Sequence, residues 1–366
     1  MKILAAMSGG VDSSVATARA VEAGHSVTGV YLALHENLAS TEVNTGPIRG
    51  CGNPQDRADA EQIASQLGID FEVWDYAEEF SRIVINEFLS RYAAGHTPNP
   101  CVFCNENVKF AVLQRWAMEN GYDAVATGHY ARVLHNLDNG NRVELHRANY
   151  RQKDQSYVLS AVGNEVLEHS LFPLGDMESK DAVRAEAAKR GLFVSQKPDS
   201  YDICFIPDGD TLGFLRARLG SEPGPIVDPE GVQIGEHQGA IGYTVGQRKG
   251  LGIGRPAKDG KPRYVLDVNP ATNTVVVGPR ELLGLNHIVG EQPVWLADEL
   301  PVAEGVRAGV QVRAHGREIP ATVRIEEDAM YVDLDEEVRG LPRGQSVVVY
   351  LGSRVMGQSV VAHTSR

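Results

Sequence analysis

The chain has 366 residues, of which 42% are hydrophobic, and its formal net charge is −13. Single cores rarely grow beyond ~250–300 residues, so this length predicts two or three domains. The negative charge excludes a protein coated in positive potential, and no run approaches the ~20 apolar residues of a membrane span.

A strand, a glycine turn and a helix are predicted first: residues 3–7 as a buried strand, SGGVDSS (residues 8–14) as the turn and residues 15–21 as the helix. Gly9 and Gly10 allow a close approach to an anion, which the helix N-terminus attracts. The serines add donors, and Asp12 is suited to hold magnesium. Without a Lys-Ser/Thr pair this is not a Walker A loop. It resembles the pyrophosphate loop of the ATP pyrophosphatases; the alternative is a serine-rich helix cap.

Strands and helices alternate through the rest of the first half. Strands are predicted at residues 27–34, 71–74 and 123–127, and helices at residues 54–67, 77–92, 105–119 and 179–190. Asn53 caps the second helix, with Pro54 at its favoured first position. The alternation predicts an α/β domain with a doubly wound parallel sheet that binds ligands at its C-terminal strand ends. Residues 36–52 lack periodicity and predict a lid or a partly disordered loop.

After about Pro207, short Val, Ile and Tyr runs replace the helices. They occupy residues 263–268, 274–277, 306–312, 321–325 and 346–351. We expect an ATP-binding domain over residues 1–207 and two small mainly-β domains over 208–282 and 283–366, the last a β-barrel. Six basic residues and one acidic residue between Gly246 and Tyr264 indicate either a nucleic-acid surface or a solvated basic loop.

Four cysteines, and an N-terminus that enters a strand without a basic and apolar leader, predict no signal peptide and a reducing, cytoplasmic setting. Cys101 and Cys104 lie in PNPCVFCN (residues 98–105). We expect Cys104 at the N-terminus of the next helix, which lowers a thiol pKa from about 8.5. Three interpretations stay open: Cys104 and Cys204 as nucleophile and sulfur carrier, an iron–sulfur cluster on these two and Cys101, or structural or zinc-binding cysteines. Zinc needs a fourth ligand, and only Cys51 in the irregular loop is spare.

Seven motifs in order resemble the bacterial tRNA-specific 2-thiouridylases. They are SGGVDSS (8–14), TPNP (97–100), CN (104–105), TGHY (127–130), KDQSY (153–157), DICFI (202–206) and GYTVGQRKGLG (242–252). The resemblance covers essentially the whole chain and implies an adenine nucleotide α-hydrolase-like first domain and a central domain that binds tRNA. It also implies that ATP adenylates C2 of the wobble uridine (position 34), that a persulfide sulfur replaces the oxygen, and that AMP and pyrophosphate leave.

The resemblance assigns a role to each site residue. Cys204 would carry the persulfide and Cys104 would be the second catalytic thiol, with a disulfide between them after sulfur release. ATP would contact Ala6, Met7, Ser8, Gly9, Gly10, Val11, Asp12, Ser13, Leu32 and Gly128. The target base and the tRNA would contact Asn99, Pro100, Cys101, His129, Lys153, Asp154, Gln155, Arg313 and Gln345. The implied cofactors are ATP and Mg²⁺. The implied partners are tRNAs for glutamate, glutamine and lysine and a cysteine desulfurase or sulfur-relay protein, with no membrane.

Two positions depart from the family's pattern. Cys101 stands where many members have aspartate, and with Cys104 and Cys204 it makes a trio that suits a [4Fe–4S] cluster with one iron open. Ala314 follows Arg313, where the family often has an aromatic residue. Two other functions stay open for these residues: another adenylating synthetase of the same superfamily, and a non-catalytic RNA-binding or iron–sulfur carrier protein. We find no glutaminase or ammonia site for the first, and the intact SGGVDSS loop argues against the second.

Overall fold

The computed structural model describes residues 1–34, 54–137, 142–199, 203–206, 208–253, 259–298, 301 and 304–366. The chain divides into two compact units. The first comprises Met1–Ile85, Pro100–Gly209 and Gly352–Val355, and the second comprises Asn86–Asn99, Asp210–Leu351 and Met356–Arg366. The loop expected at residues 36–52 and the cap expected at Asn53 lie outside the described residues, and the domain boundaries at 208 and 283 stay predictions.

A parallel sheet forms the centre of the first unit. The strands of this unit are β1 (Lys2–Ala6), β2 (Ser26–Ala33), β3 (Asp70–Asp75), β4 (Ala124–Ala126), β5 (Ala131–Asn136), β6 (Arg142–Arg147) and β7 (Ser170–Leu171). The sheet has the order β3-β2-β1-β4-β7, and each neighbouring pair is parallel. The other two strands form an antiparallel hairpin, which was not among the elements expected from the sequence.

Helices cover both faces of this sheet. The helices up to residue 190 are α1 (Val11–Glu22), α2 (Pro54–Leu67), α3 (Ala77–Phe80), α4 (Asn86–Ala93), α5 (Pro100–Cys104), α6 (Ala111–Glu119), α7 (Ser156–Leu159), α8 (Asn164–Leu167) and α9 (Lys180–Lys189). Of these, α4 belongs to the second unit. Leu4 of β1 packs with Leu113 of α6, whereas Ile3 packs with Ala20 of α1. Successive strand side chains point to opposite faces, so both faces are buried and the doubly wound prediction is confirmed.

The helix around Cys104 corrects one prediction. α5, a π-helical segment (Asn105–Phe110) and α6 follow one another without a break, and Cys104 has helical φ −64° and ψ −43°. Cys104 therefore lies inside the helical stretch and not at its N-terminus. Pro100 opens the helix, because its fixed φ and missing N–H suit the first position, and Cys101 lies in the first turn.

The second unit contains a small sheet and a closed barrel. The strands are β8 (Gly224–Val227), β9 (Gln233–His237), β10 (Tyr264–Asn269), β11 (Thr274–Gly278), β12 (Gly284–Trp295), β13 (Val306–Gln311), β14 (Ile319–Glu326), β15 (Ala329–Arg339), β16 (Ser346–Leu351) and β17 (Arg354–Ser365). The sheet has the order β10-β11-β8-β9. The barrel has the order β12-β15-β14-β13-β16-β17 and closes through pairing of β12 with β17. The predicted C-terminal β-barrel is confirmed.

One helix breaks the β-rich pattern of this half. α10 (Thr211–Leu219) begins after Asp210, whose carboxylate accepts from the Gly213 N–H, and ends at Gly220 with φ 77°. These caps mark a helix that was not among the elements expected from the sequence, although the two domains are mainly β as predicted. Within the described ranges, no helix combines the length and the apolar character needed to cross a membrane.

Candidate active site

Gly9 sets the path of the loop between β1 and α1. Its φ is +70°, and a Cβ at this position would lie 2.0 Å from the backbone oxygen of Asp56 in α2. Only glycine fits both the left-handed backbone and the close approach of α2. The loop lies at the C-terminal end of β1, where parallel sheets bind ligands.

The serine side chains brace this loop. The Ser13 hydroxyl accepts from the Ser8 N–H at 3.1 Å, and the Ser14 hydroxyl donates to the Gly10 carbonyl at 2.7 Å. Gly10 itself is the N-cap of α1 and supplies no side-chain acceptor. The alternative of a serine-rich cap is therefore wrong, and the positive end of α1 is directed at the loop.

The Asp12 carboxylate has two donors. Its Oδ1 accepts from the Tyr130 hydroxyl at 2.7 Å, and its Oδ2 accepts from Lys180 Nζ at 2.6 Å. Burial and the neighbouring Asp12 raise the pKa of Tyr130, so the phenol keeps the proton that it donates. Lys180 stands at the start of α9, and Ser179 caps that helix through the Ala182 N–H.

Asp199 joins three cations. Its carboxylate lies 2.7 Å from Lys153 Nζ, 2.9 Å from Lys180 Nζ and 2.9 Å from the Arg184 guanidinium. Burial alone would raise the pKa of Asp199, but the hydrogen bonds from Lys153 and Lys180 outweigh it and lower the pKa to about 2. The carboxylate is therefore charged at neutral pH.

Lys197 ties the loop to α2. Its ammonium donates to the Gly9 carbonyl at 2.9 Å and to the Asp56 carboxylate at 2.6 Å, and it also donates to Asp59. Burial opposes the charge, but the two carboxylates outweigh it and raise the pKa of Lys197. The loop is thus held from two sides, by Lys197 at Gly9 and by Lys180 at Asp12.

The residues assigned to ATP divide between the core and the strand ends. Met7 and Val11 are buried in the core cluster shared with α2 and α9. Ala6 and Leu32 are half-buried and belong to the cluster on the α6 face. Gly128 follows β4, and a Cβ there would lie 2.7 Å from the Ser13 nitrogen, so this glycine allows β4 to approach the loop.

The two thiols assigned to catalysis lie on segments that both pack against the helical residues from Ala77 to Ile85. Phe205, next to Cys204, makes an edge contact with Phe80 of α3 at 5.9 Å between ring centroids. α5, which carries Cys101 and ends at Cys104, contacts the π-helical segment Ser81–Ile85 that follows α3. Cys104 is 5% exposed, whereas Cys101 and Cys204 are half-buried. In the part of the chain that is described, no three His, Cys, Asp or Glu side chains are grouped to hold a metal ion.

His129 lies between a hydroxyl and two aromatic rings. Its Nδ1 is 2.7 Å from the Thr127 hydroxyl, and its ring lies about 6 Å from those of Phe110 and Phe172. Burial, followed by the charge of Lys109, lowers the pKa of His129 to about 3. The imidazole is therefore neutral at physiological pH.

Residues 153–155 lead back to the same site. Gln155 Oε1 accepts from the Tyr130 N–H at 2.9 Å. The Asp154 carboxylate, 6% exposed, pairs with Arg147 at 3.0 Å and accepts from the Ala148 N–H at 2.9 Å. Lys153 is the exposed member of the three. The structure therefore joins this motif to the loop of residues 8–14 through Tyr130 and Asp199.

The remaining assigned residues have separate surroundings. Asn99, Arg313 and Gln345 fall in the second unit, whereas Pro100 opens α5 in the first. Gln345 donates to the Thr97 carbonyl at 2.6 Å and so holds the segment before Asn99. Arg313 donates to the Gly340 carbonyl at 2.5 Å. Their proposed contacts with tRNA stay predictions.

Sequence reasoning missed four residues that shape the site: Tyr130, Lys180, Lys197 and Asp199. Tyr130 lay within a recognised motif, and its position after the β4 end could have marked it. The two lysines and Asp199 carry no local signal, because the pairs Lys153–Asp199, Lys180–Asp12 and Lys197–Asp56 each join residues more than 40 positions apart.

Three family models together match nearly the whole chain. The tRNA methyl transferase HUP domain matches residues 1–208, the tRNA methyl transferase PRC-barrel domain residues 212–279, and the aminomethyltransferase β-barrel domain residues 285–361. Among solved structures, a 4-thiouridine synthetase in complex with RNA and ATP is 18% identical with a TM-score of 0.36, and the match covers 56% of this chain and 45% of that one. That similarity is too low to support a shared activity.

Full-length relatives are more informative. The tRNA-specific 2-thiouridylase MnmA of Beutenbergia cavernae is 56% identical, and the match covers 100% of this chain and 96% of the relative. The protein of the same name from Leifsonia xyli subsp. xyli is 52% identical, with 99% and 98% covered. Identity at this level over the full length shows the family: the chain belongs to the tRNA-specific 2-thiouridylases.

Proposed function

We propose that this chain uses ATP to activate C2 of the uridine at position 34 of tRNA and replaces its oxygen with sulfur, giving 2-thiouridine. The observation that carries the proposal is the loop of residues 8–14, where Gly9, the N-terminus of α1 and the Asp12–Lys180 pair lie at the end of β1. Such a loop stabilises an anionic triphosphate through backbone N–H groups and the helix dipole.

The chemistry follows in two stages. The uridine O2 attacks the α-phosphate of ATP and pyrophosphate leaves, so the oxygen becomes part of a good leaving group. The terminal sulfur of a Cys204 persulfide then attacks C2, and AMP departs with that oxygen. The Cys104 thiolate attacks the Cys204 sulfur, which releases 2-thiouridine and leaves a disulfide that a thiol reductant opens. Packing of both thiol segments on the stretch from Ala77 to Ile85 supports this pairing.

Magnesium and iron fit the described residues differently. Mg²⁺ is usually held by one or two carboxylates together with substrate phosphates, so Asp12 with the ATP phosphates would hold it and offset the phosphate charge. A [4Fe–4S] cluster would require Cys101, Cys104 and Cys204 as one ligand set. We propose the persulfide route, which the packing of both thiol segments on the stretch from Ala77 to Ile85 supports, and place no step on a cluster.

The remaining assignments complete the proposal. Leu32 and Gly128 lie near the adenosine, Ala6 and Met7 lead into the loop, and the loop of residues 8–13 contacts the phosphates. Asn99, Pro100, Cys101 and His129 face the target base, while residues 153–155, Arg313 and Gln345 contact tRNA. The substrates are tRNAs for glutamate, glutamine and lysine, and a cysteine desulfurase or a sulfur-relay protein supplies the sulfur in the cytoplasm.

A thiolation assay tests the proposal. We expect purified protein with ATP, Mg²⁺, a cysteine desulfurase, cysteine and unmodified glutamate tRNA to give 2-thiouridine at position 34, with one AMP per sulfur. Cys204→Ser should abolish 2-thiouridine but keep ATP binding, and Cys51→Ser is the matched control. Asp12→Ala should abolish AMP formation.

The outcomes separate the parts of the proposal. Retained thiolation in Cys204→Ser excludes Cys204 as the sulfur carrier. Normal AMP formation in Asp12→Ala excludes the assignment of the loop. Purification without oxygen that yields about four irons per chain, with activity on free sulfide, would establish the cluster route instead.

A further inference from the structure

Within the first unit, a series of alternating charges connects the surface to the proposed ATP loop (residues 8–14). Lys153 Nζ lies 2.7 Å from Asp199 Oδ2, Lys180 Nζ lies 2.9 Å from Asp199 Oδ1, and Lys180 Nζ lies 2.6 Å from Asp12 Oδ2. The series is therefore Lys153, Asp199, Lys180 and Asp12, with opposite charge at each step.

The two lysines of this series differ in exposure. The side chain of Lys153 is 44% exposed, whereas that of Lys180 is 12% exposed. An external anion can therefore reach Lys153 directly. Lys180 is shielded, so its attraction to Asp12 and Asp199 is screened less by water.

Asp199 is the branch point of the series. Besides the two lysines it contacts Arg184, and the same guanidinium donates to the carbonyls of Ser195 and Lys197. The backbone that carries Asp199 is thus fixed, and the carboxylate is shared among three cations. When one cation leaves, the attraction of the carboxylate for the other two increases.

A second connection starts from the same motif. Gln155 Oε1 accepts from the Tyr130 N–H at 2.9 Å, and the Tyr130 hydroxyl donates to Asp12 Oδ1 at 2.7 Å. Both oxygens of the Asp12 carboxylate are therefore connected to residues 153–155, one through Tyr130 and the other through Lys180 and Asp199.

We infer that Asp199 is a positioning residue that couples tRNA binding at Lys153 to the state of Asp12 in the ATP loop. When a phosphate of the RNA pairs with Lys153, Asp199 loses that ion pair. Asp199 then attracts Lys180 more strongly and draws it away from Asp12. The Asp12 carboxylate becomes available to the nucleotide, so bound tRNA strengthens ATP binding. By linkage, ATP strengthens tRNA binding by the same factor. This inference rests on the proposed function.

The experiment measures the coupling factor directly. The Kd of an ATP analogue with a methylene group between its α and β phosphates is measured with and without saturating unmodified glutamate tRNA. We expect tRNA to lower the Kd of the wild-type protein about 5- to 150-fold, the usual range of coupling between sites. In Asp199→Asn the ratio of the Kd without tRNA to the Kd with tRNA should fall to about 1. The affinity for tRNA is not weakened, because Lys153 keeps its charge.

Three further variants make the result specific. Asp199→Glu restores the carboxylate and should restore coupling. Glu22→Gln, at the exposed Arg190–Glu22 pair of the same unit, should keep the wild-type ratio. Lys153→Met should lose the coupling and also bind tRNA more weakly, and its exposed position makes it usable if Asp199→Asn fails to fold.

A folded Asp199→Asn or Lys153→Met variant that keeps the wild-type ratio overturns the inference. A wild-type ratio of 1 in a protein that makes 2-thiouridine overturns the inference and leaves the proposed function standing. A wild-type protein that binds no tRNA and makes no 2-thiouridine contradicts the proposed function itself.

Discussion

Gly9 shows how a single backbone position determines the path of the loop of residues 8–14. Both Gly9 and Gly68 have φ near +70°, but a Cβ would lie 2.0 Å from the Asp56 carbonyl at Gly9 and within 4 Å of nothing at Gly68. Left-handed backbone costs an alanine about 1–2 kcal/mol at either position. At Gly9 the clash with α2 adds to this cost, and it displaces the carbonyl that Lys197 holds.

We therefore expect Gly9→Ala to be less stable than Gly68→Ala and to bind ATP at least about tenfold more weakly, which is about 1.4 kcal/mol. Urea unfolding and equilibrium ATP binding of the two variants measure the difference. Equal stability and equal ATP affinity in both would show that α2 does not constrain the loop.

The buried imidazole of His129 makes the stability of the folded chain depend on pH. Its pKa is about 3 in the folded chain, against an ordinary value of 6.5. Between these values the unfolded chain binds a proton that the folded chain does not. The stability that depends on neutral His129 is therefore present above pH 6.5 and is lost as the pH falls toward 3.

Replacing His129 with Gln removes this titration. We expect the free energy of unfolding to fall less steeply with acidification, by up to about 1.4 kcal/mol per pH unit. Urea unfolding between about pH 4 and pH 6.5 measures the slope. His363→Gln, at an exposed histidine of β17, is the control for the loss of one imidazole. An unchanged slope in His129→Gln would contradict the assignment.

At the scale of elements, patterns of hydrophobicity predicted the sheet well. Buried runs such as that around Ile3 gave the parallel strands, and the prolines at 54 and 100 mark the first positions of α2 and α5. The β5–β6 hairpin and α10 escaped prediction, because their signals are short turns and caps. The predicted helix begins at Asn105, next to Cys104, whereas in the structure Pro100 already opens a helix.

The candidate site was predictable only in part for a physical reason. The loop of residues 8–14 is a local pattern, in which neighbouring residues make one turn. The ion pairs that hold it are not local: Lys180 pairs with Asp12, and Lys197 pairs with Asp56, across more than 100 positions of the chain. No periodicity or spacing in one sequence marks such partners.

Asp154 organises the turn between β6 and α7. Its carboxylate pairs with Arg147 at 3.0 Å and accepts from the Ala148 N–H at 2.9 Å and the Ser156 N–H at 3.2 Å. Arg147 and Asp154 are 5% and 6% exposed at their side chains. Breaking a buried pair on one side costs about 3–5 kcal/mol, because one charge stays buried without its partner.

We expect Asp154→Asn to destabilise the first unit by roughly this amount. Asp335→Asn is the control, because Asp335 forms an exposed pair with Arg307 and its loss should not be measurable. Thermal and urea unfolding give the comparison. If both variants unfold like the wild type, Asp154 does not hold the turn.

At the scale of the whole molecule, the charge must be reconciled with an RNA substrate. A net charge of −13 repels a polyanion, so binding requires a local basic surface. Arg248 and Lys249 lie exposed in the second unit, next to Gly250, whose backbone is left-handed with φ 73°. They offer phosphate contacts, whereas Arg307 and Arg317 on the barrel already face Asp335 and Glu336.

The salt dependence of tRNA binding distinguishes these two pairs of cations. Each phosphate contact on duplex contributes about −0.9 to the slope of log K against log salt, and about −0.7 on a single strand. We expect the variant with Arg248→Ala and Lys249→Ala to bind tRNA more weakly and with a slope shallower by about 0.9 for each duplex phosphate that no longer meets a cation. The variant with Arg307→Ala and Arg317→Ala has the same change of net charge and should keep the wild-type slope. If both double variants change the slope equally, the protein responds to tRNA through its total charge, and residues 246–264 are a solvated loop.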